Sequence, residues 1–138
     1  MIRNEEQLEE ILSEPSHADT DAMAALAGDL LILGVAGKMG PSLAHRARRA
    51  APHKRIIGVA RFSNPAVREQ LEAWGIETLS LDLLEEGALQ RLPDAPNVIY
   101  MAARKFGSTG NEGLTWAMNT FLPGVVAQHF RHARIVAF

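Results

Sequence analysis

Gly34, Gly37 and Gly40 stand three residues apart in Gly34-Val-Ala-Gly-Lys-Met-Gly40. That spacing suits one kind of chemistry, the gripping of a diphosphate. A first glycine permits a tight turn, a second lets an anion approach the main chain closely, and a third allows a helix to pack tightly on a strand. If a helix opens at this point, its free N–H groups and positive dipole end face the turn. Lys38 and Met39 lie inside the loop, and Lys38 adds a cation beside the phosphates. A structural turn without a ligand is the alternative for the same residues. His129-x-x-His132 has metal-ligand spacing, but it sits beside Arg131 and Arg134 without a nearby carboxylate or thiolate, so no metal site is predicted.

The elements that must hold these glycines follow from periodicity. Leu30-Leu-Ile-Leu33 is a short apolar run ending in glycines, as expected of a strand buried on both faces of a parallel sheet. The next helix tolerates Pro41 in its first turn and turns Leu43, Ala44, Ala47 and Ala50 inward. His45, Arg46, Arg48 and Arg49 then point mostly outward, and the arginines read as a solvated face. Ile56 to Ala60 forms a second strand. Pro65 starts a helix carrying Val67, Leu71 and Trp74. A third strand spans Ile76 to Leu81, followed by a short helical stretch through Leu84, Ala88 and Leu92. Asn97 to Ala102 is a fourth strand, Glu112 to Phe130 a long helix, and Ala133 to Phe138 a fifth strand. Trp74 and Trp116 read as packing anchors.

Ahead of these, Asn4 caps a helix with Leu8, Ile11 and Leu12 at helical spacing, ended by Pro15 and Ser16. A short second helix runs from Asp21 to Ala27, stopped by Gly28. The alternation predicts an α/β chain. Residues 1–28 form a helical extension, and residues 29–138 form a Rossmann-type doubly wound parallel sheet of order 3-2-1-4-5, truncated after the fifth strand. The chain stops inside an apolar strand, whereas natural ends are usually polar, which predicts a fragment of a longer protein.

With 138 residues there is room for one domain with a real core, and 47% hydrophobic content argues against disorder. Fourteen basic against sixteen acidic residues leave a net charge of −2, which gives no support for a nucleic-acid partner. The absence of cysteine excludes disulfides and thiolate metal sites. The polar, acidic start is unlike a secretory signal, and the apolar runs fall far short of the ~20 residues that span a bilayer. No membrane partner is expected, and the expected location is the cytoplasm.

In this fold the end of the second strand meets the adenosine ribose. An acidic residue there favours NAD. The chain instead has Ala60-Arg61-Phe62-Ser63, a small residue followed by a forked cation suited to a 2′-phosphate. NADP(H) is therefore the preferred cofactor and NAD(H) the second candidate. A solvated Arg61 is the alternative.

Taken together these features resemble the extended branch of the short-chain dehydrogenase/reductase superfamily, the NAD-dependent epimerase/dehydratase family, over about Asp29 to Phe138. The glycine spacing is the extended-branch form. Asp82-Leu83 resembles the family's adenine-contacting acidic dipeptide. Tyr100-Met101-Ala102-Ala103 resembles its hydrophobic-Ala-Ala segment beneath the cofactor, and Asn119 falls where the family keeps a helix asparagine near the active site. The resemblance implies cofactor contacts from Gly34, Gly37, Lys38, Met39, Gly40, Arg61, Ser63, Asp82, Leu83, Met101, Ala102, Ala103 and Asn119.

The family commonly carries Asn-x-x-Gly-Thr in that helix, whereas here Asn119 is followed by Thr-Phe-Leu-Pro123-Gly124. Pro123 cannot donate to the carbonyl of Asn119, and an uncompensated mid-helix proline costs about 3 kcal/mol. The freed carbonyl suits an ordered water, as at the family's proton-relay kink; a plain kink or break is the alternative. The family's catalytic Ser/Thr and Tyr-x-x-x-Lys lie beyond the fifth strand, so no catalytic residue is assigned within this chain. Its single tyrosine, Tyr100, has no lysine four residues on.

The resemblance implies an oxidoreductase or epimerase/dehydratase acting on an alcohol or carbonyl carbon, with a nucleotide sugar as the commonest substrate type. A non-catalytic module that senses NAD(P) redox state is the alternative. Arg104, Lys105 and Ser108, after the fourth strand, suit an anionic substrate group, or else a solvated loop. A small-molecule substrate and a homodimer complete the expected partners.

Overall fold

Leu30–Leu33 forms β1, the middle strand of a five-stranded parallel sheet of order β3-β2-β1-β4-β5. The computed structural model describes residues 1–104 and 109–138. The flanking strands are β2 (Ile56–Ala60), β3 (Glu77–Ser80), β4 (Asn97–Tyr100) and β5 (Arg134–Ala137). Leu30 stands opposite Ile56 on one side and Asn97 on the other.

Successive β1 side chains go to opposite faces, and both faces are covered. Leu31 and Leu33 join Val59, Val98, Leu122, Val126 and Phe130 on one side. Leu30 and Ile32 join Val35, Ala44, Leu71 and Ile76 on the other. Each such fully buried aliphatic side chain contributes about 1.5–3 kcal/mol. This double burial fixes β1 at the sheet centre and so fixes where its glycine-rich end emerges. The fold, strand order and parallel pairing agree with the sequence reading, although β3, β4 and β5 are shorter than expected.

The first face is covered by α6 (Leu122–His129) and the π-helical turn before it (Ala117–Phe121), which continue the short α5 (Glu112–Trp116). The second is covered by α3 (Gly40–Ala50) and α4 (Pro65–Ala73). The helix does not break at Pro123. The helix widens by one residue ahead of it, with Leu122 N–H donating to Ala117 O, and the proline falls in the first turn of α6. The stretch after β3 is also not the expected helix. Asp82 Oδ1 accepts from Leu84 N–H at 3.0 Å, Gly87 has φ +73°, and only Leu89–Arg91 closes a 3₁₀ turn, yet Ala88 and Leu92 are still buried.

The N-terminal helices α1 (Glu5–Ser13) and α2 (His17–Ala25) correct three expectations. Asn4 does cap α1, accepting from Gln7 N–H at 2.8 Å. Ser16, expected as a terminator, instead opens α2 in a reciprocal capping box with Asp19, so that helix begins four residues earlier than expected. The arginine face of α3 is an interface, not a solvated surface. Arg46 donates to Asp19 at 2.6 Å, Arg49 pairs with Glu10 at 2.7 Å and Ser13 at 2.9 Å, and His45 contacts Glu9 at 3.0 Å while stacking on Trp74 at 3.9 Å. Arg48 donates to the carbonyls of Pro52, Lys54 and Gly75. Because α1 docks through Glu9, Glu10 and Ser13, its apolar residues Leu8, Ile11 and Leu12 face away and are exposed.

Trp74 packs as expected, but Trp116 is 67% exposed, because the buried face of its helix runs through Leu122, Val126 and Phe130 instead. Among the described residues no helix is long and apolar enough to cross a membrane.

Candidate functional site

The carboxyl ends of β1, β2 and β4 open onto a cleft of about 380 Å³. Ligands of open α/β sheets bind at this position, outside the strand ends where the connections diverge. From β1 the cleft takes Gly34, Ala36 and Gly37, from β2 it takes Ala60 to Asn64, and from β4 it takes Met101 to Ala103.

The three glycines have different physical reasons. Gly34 has φ +87°, and a Cβ there would come within 2.6 Å of the Ala102 amide nitrogen. Gly40 is buried, and its Cβ would meet the Val35 carbonyl oxygen at 2.1 Å. The fold itself demands both. Gly37 is different: it is exposed, its φ is not positive, and a Cβ would meet nothing nearer than Gly34 O at 3.4 Å. Within the protein no contact requires Gly37 to be glycine, and its bare main chain lines the open cleft.

The amides of the loop divide in a matching way. Gly34 N–H donates to Val59 O at 2.8 Å, Gly37 N–H to Gly34 O at 3.1 Å, and Gly40 N–H to Gly37 O at 3.1 Å. The amides of Ala36, Lys38 and Met39 have no protein acceptor among the described residues. They lead into α3, whose last turn carries Arg48 and Arg49 and whose first turn carries no acidic residue. Unengaged amides at the opening of an eleven-residue helix suit an anion. The loop therefore fits a diphosphate.

At the end of β2, Arg61 is exposed, and its Nη1 lies 3.9 Å from Asp82 Oδ2. Its carbonyl accepts from Ser80 Oγ at 3.3 Å. Phe62 adopts a left-handed φ of 49°. A bulky residue there costs on the order of 1–2 kcal/mol, and such strain tends to gather at binding sites. Its ring is partly buried against the apolar cluster of β1 and α3 while still lining the cleft.

Of the residues expected at the site, Gly34, Gly37, Arg61 and Ser63 line the cleft on one side. Asp82 and Leu83 line it next to Arg61, at the exit of β3, and Met101, Ala102 and Ala103 line it at the exit of β4. Lys38 and Met39 lie exposed in the loop but not on the cleft wall, and Gly40 is a packing residue. Asn119 does not line the cleft. Its amide is spent on the main chain of Arg104, accepting from the N–H at 2.7 Å and donating to the carbonyl at 2.8 Å. Lys105 and Ser108 lie outside the described residues.

Sequence reasoning missed, among other lining residues, Phe62, Asn64, Val67 and Met118. Asn64 carried a legible signal as a cap before Pro65, and its Oδ1 accepts from Ala66 N–H at 3.1 Å. Met118 reaches the cleft from the π turn, which no periodicity announces.

Tyr100 is 5% exposed, and its hydroxyl donates to Met118 O at 3.3 Å. Burial pushes its phenol up to about 12. Burial therefore keeps the phenol protonated near neutral pH. At the far end, His129 lies edge-on to Phe130, and His132 Nε2 accepts from Arg131 at 3.0 Å.

The sequence pattern describing the NAD dependent epimerase/dehydratase family matches residues 30–129. That span runs from the first residue of β1 to the last of α6 and includes the whole cleft. No curated protein matches the chain.

Proposed function

Because this chain belongs to the NAD-dependent epimerase/dehydratase family, we propose that it binds NADP(H) in the cleft at the ends of β1, β2 and β4, with NAD(H) as the weaker ligand. The observation carrying the reading is the loop in which Ala36, Lys38 and Met39 leave their amides unengaged around Gly37, the one loop glycine that packing does not require. Those amides hold the diphosphate. Phe62, Val67 and Leu83 offer apolar surface to the adenine, and Met101 to Ala103 support the nicotinamide end. Arg61, after the small Ala60, supplies the cation for a 2′-phosphate; its 3.9 Å contact with Asp82 is exposed and loose enough to yield to a doubly charged ligand.

Bound nicotinamide supplies hydride transfer at an alcohol or carbonyl carbon. Within this chain the residues named bind and orient the dinucleotide, and no catalytic role is assigned to the buried Tyr100. The parent activity proposed is therefore that of an epimerase/dehydratase or oxidoreductase, with a nucleotide sugar as the substrate type. A second reading is a module that binds the dinucleotide without turning anything over. In either case residues 1–28 serve as an extension of the binding domain.

Titration with NADPH and NADH, followed by nicotinamide fluorescence, tests the reading. NADPH binding tighter than NADH, with the difference removed in Arg61→Ala, is expected. Equal affinities in both proteins contradict the NADP(H) preference, and no binding of either contradicts the site.

A further inference from the structure

Pro123 removes one amide from the helix that walls the cleft, and the geometry of the π turn decides which carbonyl loses a donor. Within an i→i+5 turn, the carbonyl of Met118 looks to the N–H of residue 123, which proline lacks. The preceding donor, Leu122 N–H, is already given to Ala117 O. Met118 O is met from outside the helix, by the hydroxyl of Tyr100 at the end of β4, at 3.3 Å. The adjacent residue, Asn119, ties the same turn to the main chain of Arg104 through both ends of its amide. The π turn is thus fastened to the β4 exit at Tyr100 and at Arg104. Between those two points lie Met101, Ala102 and Ala103, which form one wall of the cleft that Met118 also lines.

We propose that Tyr100 is a positioning residue: its hydroxyl supplies the donor that Pro123 withholds, holds the π turn in register, and so sets the Met101–Ala103 wall against which the dinucleotide rests. This rests on the binding reading above. The phenol acts through one hydrogen bond to a carbonyl and never touches the ligand. Phenylalanine at this position keeps the buried ring and loses only that bond. Alanine at position 123 restores the missing N–H, so the two substitutions together exchange one donor for another.

The test is a double-substitution cycle on the full chain, with NADPH affinity and thermal midpoint measured for the wild type, Tyr100→Phe, Pro123→Ala and the pair. Tyr100→Phe is expected to weaken NADPH about fivefold, the scale of one neutral hydrogen bond. Pro123→Ala alone should stay within about twofold of the wild type, and the pair should recover most of the lost affinity. A purely structural role lowers the midpoint of Tyr100→Phe and leaves its affinity unchanged, which overturns the proposal. So does a pair that binds no better than Tyr100→Phe.

Amide hydrogen exchange over residues 117–124 without ligand keeps the two readings separable. Exchange accelerated in Tyr100→Phe and restored in the pair supports the register role even if the wild type binds no dinucleotide, an outcome that sinks the binding site alone. Unchanged exchange in Tyr100→Phe sinks the register role.

Discussion

Asn119 and Arg104 form a closed pair: the side-chain amide of one makes both of its hydrogen bonds, 2.7 and 2.8 Å long, to the main chain of the other. A helix asparagine in this position was expected to face the cofactor. It instead braces the segment that leaves β4, and its influence on the cleft is indirect.

Asn119→Ala therefore breaks two hydrogen bonds at once. At roughly 0.5–1.5 kcal/mol each, and with Asn119 exposed, the expected loss of stability is about 1–2 kcal/mol. Urea denaturation measures it. Asn119→Asp keeps the acceptor for the Arg104 amide but repels the carbonyl, so it should fall between the wild type and the alanine variant. A stability for Asn119→Ala equal to the wild type contradicts the bracing role.

Tyr100 gives the alkaline limb of stability a defined sign. Its pKa is raised to about 12 by burial, above the ~10 of an unfolded tyrosine. A raised folded-state pKa contributes stability that is complete below about pH 10 and is lost as pH rises towards 12. The chain has one tyrosine, so tyrosinate absorbance reports this group alone. The expected titration midpoint is well above 10, and Tyr100→Phe should flatten the loss of stability between pH 10 and 12. A midpoint near 10 in the folded protein contradicts the burial argument.

The docking of the N-terminal helices has an acid-side signature. Asp19 is held down to about 2, first by the side-chain and main-chain hydrogen bonds of Ser16 and then by Arg46. A depressed carboxylate contributes stability present above about pH 4 and lost as pH falls towards 2. Carboxyl NMR titration of Asp19 should give a midpoint near 2, moving upward in Ser16→Ala more than in Arg46→Ala. A larger shift in Arg46→Ala assigns the effect to the ion pair instead of the capping box.

Much of this architecture was legible in the sequence because the signals were local. Leu30–Leu33 reads as a doubly buried strand from four residues, and the glycines after it mark the turn whether or not the rest of the chain is known. The strand order followed from alternation and handedness. What escaped notice depends on contacts distant in sequence or on register. The arginines of α3 look solvated until α1 and α2 fold over them. Ser16 carries a readable capping box with Asp19, yet Pro15 and Ser16 also mark the end of α1, and the two signals overlap. The left-handed φ of Phe62 has no marker in residue type, and no residue type announces the π turn beside which Met118 lines the cleft. Asn119 kept its expected place in the helix and took a different partner.

The central claim is that the Gly34–Gly40 loop is built for a diphosphate, and the contrast between its glycines tests it most directly. NADPH affinity and unfolding free energy should be measured together for Gly34→Ala, Gly37→Val and Gly40→Ala. The Gly34 and Gly40 variants are predicted to lose about 2–3 kcal/mol of stability or more, since their Cβ atoms meet main chain at 2.6 and 2.1 Å. Gly37→Val is predicted to stay within about 1 kcal/mol of the wild type in stability while its NADPH affinity falls at least about tenfold. A stable Gly37→Val protein that binds NADPH as the wild type does contradicts the account.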